Sequence, residues 1–377
     1  MIHQSDITSG AQPIWAVGCM SGTSMDGVDA AEVLTDGKSV LDLGKVAFRP
    51  FNREERRLIQ SALGKWRGGT VEACARVIEE AHIELLAEFD RTALVGFHGQ
   101  TLVHEPHNQR SMQVGNGQIV ADAVGLPVVW DFRTSDLRNM GQGAPLAPFY
   151  HFAIAMRERV SSPVALLNIG GVSNLTWIDT RFGKPEASGA LAAFDCGPGN
   201  CVIDDLVKTR LGQPRDENGG LARRGRPSSR IVRQFKSDRY FARSGPKSAD
   251  RNRFSYLLEL VDELELADAA ATVTRCVSSA IAAAVGLLPS VPTEIVVCGG
   301  GRHNATLLEF LNEEVDCSVT KIESWGYDGD MLEAQAFAFL AVRSCRGLPL
   351  SSPGTTGCRS PTLGGRTSLP RQAAPAI

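Results

Sequence analysis

One local pattern occurs twice in this chain. Residues 14–20 form an apolar run that ends in a turn rich in Gly and Ser, and a second apolar run follows at 28–34. About 150 residues further on, the run 164–169 passes through a Gly/Ser/Asn turn into 175–178. Apolar runs flanking such turns read as β-hairpins. An isolated hairpin is marginal in water and needs further strands or a helix against it. Two hairpins this far apart therefore predict two related α/β halves, alike in pattern rather than in residue identity.

The intervening sequence supplies the missing layers. A third strand is expected at 40–48, helices at 53–62 and 71–89, and buried strands at 93–97 and 128–130. Val71, Cys74, Val77, Ile78, Ala81, Leu85 and Leu86 recur at helical spacing. The second half predicts helices at 199–211, 267–288, 304–314 and 330–343, with a strand at 295–298. Residues 216–230 and everything from 347 onward are rich in loop-forming residues and read as irregular. At 377 residues the chain exceeds the ~250–300 at which one core stops growing. The expected division is 1–145 plus about 346–377 as the first domain and 146–345 as the second.

Charge and apolar content exclude several classes. Lys and Arg number 39 against 42 Asp and Glu, a net −3, which argues against a basic nucleic-acid face. No run approaches the ~18 apolar residues of a membrane helix. Residues 1–12 lack a basic start followed by an apolar stretch, so no secretory leader is expected. The nine cysteines include no CxxC, and they read as free thiols of a reduced, cytoplasmic protein. No partner among nucleic acids or membranes is implied.

Glycine is in excess, at 38 of 377 residues or about 10% against a usual 7%, and much of it sits in motif-like turns. Gly22-Thr23-Ser24-Met25-Asp26-Gly27-Val28-Asp29 can converge backbone N–H groups and hydroxyls on an anion; it can equally be a locally capped hairpin turn. Gly170-Gly171-Val172-Ser173-Asn174 repeats the device, and two such turns suit a bound nucleotide. Gly299, Gly300 and Gly301, with Asn304, follow a buried strand and open a helix, where a flat ring or ribose can approach; a plain β–α turn is the alternative. GxxxxGK[ST] is absent, and no GxG has its third glycine, so P-loop and dinucleotide folds lack support.

Side chains of catalytic type stand in further blocks of the sequence. Asp195, in Phe194-Asp195-Cys196-Gly197-Pro198-Gly199-Asn200, is a candidate general base or the N-cap of a helix. His98, Gln100 and Thr101 follow a buried strand and suit hydrogen bonding to a sugar. With His104 and His107, His98 also raises a metal site, but no acid or Cys stands at ligand spacing. Arg133 can clamp a carboxylate or pair with Asp131 and Asp136. Glu333 opens the last helix, where an acid also complements the helix dipole.

Taken in order, these blocks resemble the anhydro-N-acetylmuramic acid kinase family. The matching residues run from Met20–Asp29 through Phe97–Thr101, Asp131–Arg133, Gly141–Leu146, Asn168–Asn174, Phe194–Asn200, Asn218–Gly220 and Gly299–Gly301 to Pro353–Gly357. The resemblance implies two related α/β domains of the sugar kinase/Hsp70/actin (ribonuclease H-like) type, with ATP and substrate in an inter-domain cleft. It implies hydrolytic opening of the 1,6-anhydro ring coupled to phosphorylation of O6, giving N-acetylmuramic acid 6-phosphate and ADP in murein recycling. In that scheme Asp195 activates the water, Gly22–Asp29 is a phosphate loop, and Arg133, Glu333, His98, Gln100 and Thr101 lie on the substrate side. Mg2+ accompanies ATP, with Asp26 or Asp29 holding its waters, and the enzyme is expected as a homodimer. The sequence departs from the family pattern at Asn116, where an acid is common, and at Leu137-Arg138-Asn139-Met140, where small residues are usual. These departures keep open an alternative, a kinase of the same fold acting on another anhydrosugar or amino sugar. A silent sugar- or nucleotide-binding regulator is a further alternative.

Overall fold

The computed structural model describes residues 12–22 and 24–371. The leader reading of 1–12 thus falls almost wholly outside the described residues. The chain separates into two compact units, Met1–Arg159 with Met331–Ile377, and Val160–Asp330.

The first unit opens with strands β1 (Ile14–Ser21), β2 (Gly27–Thr35) and β3 (Val40–Pro50), an antiparallel meander. Helix α1 (Arg53–Ala62) follows, started by a capping box in which Asn52 and Glu55 satisfy each other's backbone N–H groups. Helix α2 (Gly69–Leu86) buries Val71, Cys74, Ile78, Ala81 and Leu85, the face marked by its periodicity. Strand β4 (Leu94–Glu105) lies parallel to β1, β5 (Arg110–Val114) pairs antiparallel with β4, and β6 (Val128–Trp130) lies parallel to β4. Helix α3 (Gly117–Val124) precedes β6; α4 (Thr134–Arg138) and α5 (Pro148–Arg157) follow it.

The second unit repeats this plan. Strands β7 (Val164–Ile169), β8 (Val172–Ile178) and β9 (Leu191–Pro198) form its antiparallel meander. Helices α6 (Asn200–Leu211), α7 (Ser229–Lys236) and α8 (Leu266–Val285) follow. Strand β10 (Glu294–Cys298) lies parallel to β7. Helix α9 (Ala305–Glu314) leads to β11 (Ser318–Lys321), which lies parallel to β10. The chain then returns to the first unit with α10 (Leu332–Cys345) and β12 (Arg366–Ser368).

The sheet orders are β12-β6-β4-β1-β2-β3 and β11-β10-β7-β8-β9. Each is a three-strand meander extended by parallel strands beside its first member, and the first sheet also carries β5 and β12, antiparallel to β4 and β6. The expected two related α/β halves are thus present as one repeated topology. No helix of the described residues is long and apolar enough to cross a membrane. All nine cysteines are free thiols.

The division between the units falls at Arg159/Val160 and Asp330/Met331 rather than at 145/146 and 345/346. Helix α10 causes the larger shift, because it packs on the first sheet. A Cβ on Gly18 of β1 would sit 1.9 Å from the Ala334 carbonyl oxygen, and one on Gly96 of β4 would sit 2.2 Å from that of Phe337. Tyr150 of α5 donates from its hydroxyl to the Gln335 side chain of α10 at 2.8 Å, so α5 belongs with it.

The segment after 347 is also more ordered than its composition implied. Residues 353–356 form a helical turn and β12 pairs antiparallel with β6, Arg366 opposite Trp130. A three-residue edge strand carries too short a pattern to be read from sequence. Strands β5, β9 and β11 and helices α3, α4, α5 and α7 likewise carry no clear sequence signal, because they are short or lack a clean alternation.

Two glycines separate close packing from mere composition. Gly18→Ala is expected to destabilise the protein by about 3 kcal/mol, because backbone atoms cannot step aside as side chains do. Gly69, in the first turn of α2, has nothing within 4 Å of an added methyl, so Gly69→Ala is expected to stabilise by about 0.5–1 kcal/mol. Urea midpoints of the two variants check both.

Candidate active site

In the second unit, strand register assembles one group of candidate residues. The β7–β8 turn holds Gly170 and Gly171, whose carbonyls accept from the N–H groups of Asn200 (2.8 Å) and Gly199 (3.0 Å) at the start of α6. A Cβ on Gly199 would sit 2.3 Å from the Gly170 oxygen, so glycine is needed for the turn to dock there. Ser173 is buried and donates to the Pro198 carbonyl at 3.1 Å. Asn174 stands opposite Asp195 across β8 and β9, and one step later Ser173 stands opposite Gly197. Cys196 is therefore the extra residue of a bulge, a device that re-aims neighbouring side chains. Asp195 lies in β9 and does not cap α6, whose N-cap is Gly199.

The glycine triplet joins the same end of the sheet, since Cys298 pairs with Asn168 across β10 and β7. Gly299 adopts φ +73°, and a Cβ there would meet the Asn168 side-chain oxygen at 2.1 Å; one on Gly301 would meet Ile169 at 2.2 Å. Gly170 and Gly300 differ from these. Their nearest neighbours would be 3.6 Å from an added Cβ and neither has a positive φ, so the fold itself does not demand glycine at either position. Asn304 is set apart from this group: it is buried, and its side-chain oxygen accepts from the Leu307 N–H at 3.0 Å to cap α9.

Asp195 is held from several sides by a segment that has no distinguishing feature in the sequence. Its N–H donates to the Lys247 carbonyl at 2.9 Å. Its Oδ2 accepts from the Ala249 N–H at 2.9 Å, and its carbonyl accepts from the Tyr240 hydroxyl at 2.9 Å. Burial pushes the carboxyl up to about 7, opposed by the Ala249 N–H and the Lys247 charge. A carboxyl poised near neutrality suits proton abstraction at working pH.

In the first unit, the β1–β2 turn places Gly22 so that an added Cβ would meet nothing nearer than 3.5 Å. Met25 is buried with φ +55°, and its N–H donates to the Gly22 carbonyl at 3.2 Å. Ser24 donates to Asp26 Oδ1 at 2.7 Å, and both residues are exposed. Gly27 begins β2 and passes close to Arg49. Val28 is fully buried in the core, and Asp29 lies across from Met20 and Phe48. Thr23 lies outside the described residues.

His98, Arg133 and Glu333 form a second group in this unit. Arg133 Nε and NH2 both approach His98 Nε2, at 3.1 and 2.9 Å, and NH1 donates to the Gly143 carbonyl at 2.7 Å. This makes His98 Nε2 an acceptor, so the ring proton sits on Nδ1, 3.0 Å from the Gly99 carbonyl. Burial and the Arg133 charge hold His98 well below its usual value, and it is a neutral imidazole. A guanidinium has five N–H donors; those contacts leave one on each terminal nitrogen of Arg133. Burial lowers Arg133 to about 10, while Glu333 and Asp136 oppose the shift. Glu333 itself is exposed in the first turn of α10.

Asp136 is a hub rather than a surface partner of Arg133. It is buried, accepts from the Gly143 N–H at 2.7 Å and from Thr356 Oγ1 at 2.6 Å, and also accepts from Ser351. Gln100 is fully buried and accepts from Ser21 Oγ at 2.6 Å, tying β4 to the end of β1 beside the first turn. Thr101 accepts from Gln113 at 3.0 Å. A cavity of about 140 Å³ lies beside this group, lined by Phe97, His98, Met112, Gln113, Trp130 and Asp131 among others. His104 contacts Ser111 at 2.9 Å, and no group of three or more His, Cys, Asp or Glu able to hold a metal occurs among the described residues.

Three of the departures from the family pattern, at Asn116, Leu137 and Asn139, have structural explanations. Asn116 caps α3, accepting from the Gln118 N–H at 2.9 Å, a task that Asp performs equally well. Asn139 donates to Thr362 Oγ1 at 2.7 Å and to the Ser360 carbonyl at 3.0 Å, and its own carbonyl accepts from the Arg359 N–H. Leu137 packs beneath Gly143. Leu137 and Asn139 thus fit the loop and the returning tail.

The family model and the curated relatives agree with one another. The family model for anhydro-N-acetylmuramic acid kinase matches residues 15–368. A protein of that name from Roseobacter denitrificans is 51% identical over 362 residues, covering 96% of each chain. Others from Ruegeria sp. and Rhodospirillum rubrum are 48% and 43% identical, covering 95% and 96% of this chain and 96% of each relative. Among solved structures, the activator of the 2-hydroxyisocaproyl-CoA dehydratase from Clostridium difficile aligns at 12% identity with a TM-score of 0.45, over 88% of this chain and 96% of that one. With the family model spanning nearly the whole chain and relatives near half identity, the chain belongs to the anhydro-N-acetylmuramic acid kinase family.

Proposed function

We propose that this protein is an ATP-dependent sugar kinase that opens the 1,6-anhydro ring of 1,6-anhydro-N-acetylmuramic acid and phosphorylates O6. The products are N-acetylmuramic acid 6-phosphate and ADP, as peptidoglycan recycling requires. The observation that carries the mechanism is Asp195, a carboxyl raised to about 7 and standing opposite Asn174 of the second glycine turn.

In the proposed reaction Asp195 takes a proton from water as the water oxygen bonds to the anomeric carbon. The C1–O6 bond breaks, and O6 takes the γ-phosphoryl group as its bond to ADP breaks. Gly22, Ser24 and Asp26 of the first turn, and Gly170, Gly171 and Ser173 of the second, bind the ATP phosphates. Gly22, Gly170 and Gly300 support this reading, because close backbone approach of a ligand explains glycine where internal packing does not. The two remaining N–H groups of Arg133 form a fork suited to the carboxylate of a muramic acid, with Glu333 beside it. Mg2+ is proposed to enter with ATP, its waters held by Asp26 or Asp29; bound there it would neutralise phosphate charge. A homodimer in the cytoplasm is carried over from the family resemblance.

Product made in ¹⁸O-water is expected to contain one heavy oxygen in the sugar phosphate by mass spectrometry. An unlabelled product would reduce the enzyme to an ordinary kinase. Asp195→Asn keeps an acceptor for the Ala249 N–H and is expected to lose about 10²–10⁴-fold in kcat with ATP binding intact by calorimetry.

The raised Asp195 value also fixes the pH dependence. The carboxyl is ionised only above about pH 7, so kcat/KM is expected to fall on the acid side of an inflection there. Its folded value exceeds the unfolded one, so the stability that its protonation contributes is complete below about pH 4 and is lost as pH rises through 7. Asp195→Asn is therefore expected to raise Tm at pH 8 by about 2–4 °C and to leave it unchanged at about pH 4, below the unfolded value. An equal shift at both pH values would refute the assignment of a buried ionised carboxylate.

A further inference from the structure

We propose that Lys247 is a positioning residue for Asp195, acting through the 240–249 segment, which is strapped across the edge strand β9 and carries the carboxylate in a fixed orientation. The inference rests on the reading of Asp195 as the base and adds a residue to it. The strap touches Asp195 at three atoms: its N–H meets the Lys247 carbonyl, its carbonyl meets the Tyr240 hydroxyl, and Oδ2 meets the Ala249 N–H, each at 2.9 Å.

The strap is closed on itself by the Lys247 ammonium. Lys247 is only 4% exposed, and the desolvation of a buried amine must be offset by its contacts. Its Nζ donates to the Tyr240 carbonyl at 3.0 Å and lies 4.6 Å from the centre of the Tyr240 ring and 5.4 Å from that of Phe194. Both ends of the strap are thereby joined through one side chain. Gly245 lets the segment lie flat on β9, since a Cβ there would meet the Phe194 ring at 2.3 Å. Lys247 makes no direct ion pair with Asp195, so it acts at short range as a fixed positive charge and a tether.

Electrostatics point the same way. The Lys247 charge favours the ionised base, opposing its burial. The other ionisable groups around Asp195 are Tyr240 and Cys196, both pushed up by burial. Arg243 and Arg253 lie further out, the first acting on Lys247 and both on Tyr240. No other buried cation replaces Lys247 in this set.

The test uses the full-length enzyme with ATP and the anhydro sugar, following kcat and kcat/KM from pH 5.5 to 9. Lys247→Met, close in length and uncharged, is expected to lower kcat about 10-fold or more, leave KM for ATP within about 2-fold, and move the acid limb up by about one pH unit. Lys247→Arg is expected to restore the limb. A limb that stays in place, whatever happens to kcat, overturns the inference, since a merely structural lysine would lower the yield of active enzyme without moving it. If Lys247→Met does not fold by its urea midpoint, Tyr240→Phe decides. It removes one strap bond and keeps the ammonium, and kcat is expected to fall several-fold with KM for ATP unchanged; an unaltered kcat overturns the proposal. Asp195→Asn run in parallel separates the two readings. An active Asp195→Asn refutes the base itself, whereas an inactive one beside a normal Lys247→Met refutes only the strap.

Discussion

The first unit depends on how closely helix α10 can approach β1 and β4. Gly18 and Gly96 face the backbone of that helix at Ala334, Ala338 and Phe337, a distance that no other residue permits. Several things follow from that contact. The ring of Phe337 reaches His98 at 4.5 Å and Phe132 at 5.2 Å between centroids, which braces the imidazole that orients Arg133. The same helix starts at the turn that carries Glu333. Buried glycines in two strands thus govern where polar side chains at the strand ends come to rest.

In the second unit the organising element is register. Pairing of β7 with β8, β8 with β9 and β7 with β10 carries three sequence blocks, far apart in the chain, to one end of one sheet. The bulge at Cys196 then turns Asp195 out of simple alternation. Ser173, Asn174 and Asp195 are placed by strand backbone, and the glycine turns follow directly from strand ends. This is the form in which a site is held most accurately.

Much of this was legible in the sequence, and the reasons for the rest are physical. The two hairpins and the strands at 128–130 and 164–169 stand out as unbroken apolar runs, and the helix over 71–89 stands out by its apolar spacing. Asp195 stood out for its glycine-framed setting, but the local pattern suggested a helix cap, since a strand of mostly small residues ending in a bulge has no clear alternation. His98 and Arg133 could be named separately and not joined, because their contact bridges 35 positions. Lys247 was invisible: a lysine between Pro246 and Ser248 looks like any surface loop until Asp195 is found against it. The domain boundaries erred because α5 and α10 pack with a sheet that sequence proximity alone cannot assign.

The closing strand β12 has a consequence for how this chain must be handled. By pairing with β6 it covers the backbone of Val128–Trp130, three apolar residues on what would otherwise be an open edge. Unpaired strand edges are templates for association between molecules. A protein shortened ahead of Arg366 would retain its catalytic candidates and expose that edge, so its first symptom would be colloidal, with loss of solubility preceding any loss of chemistry.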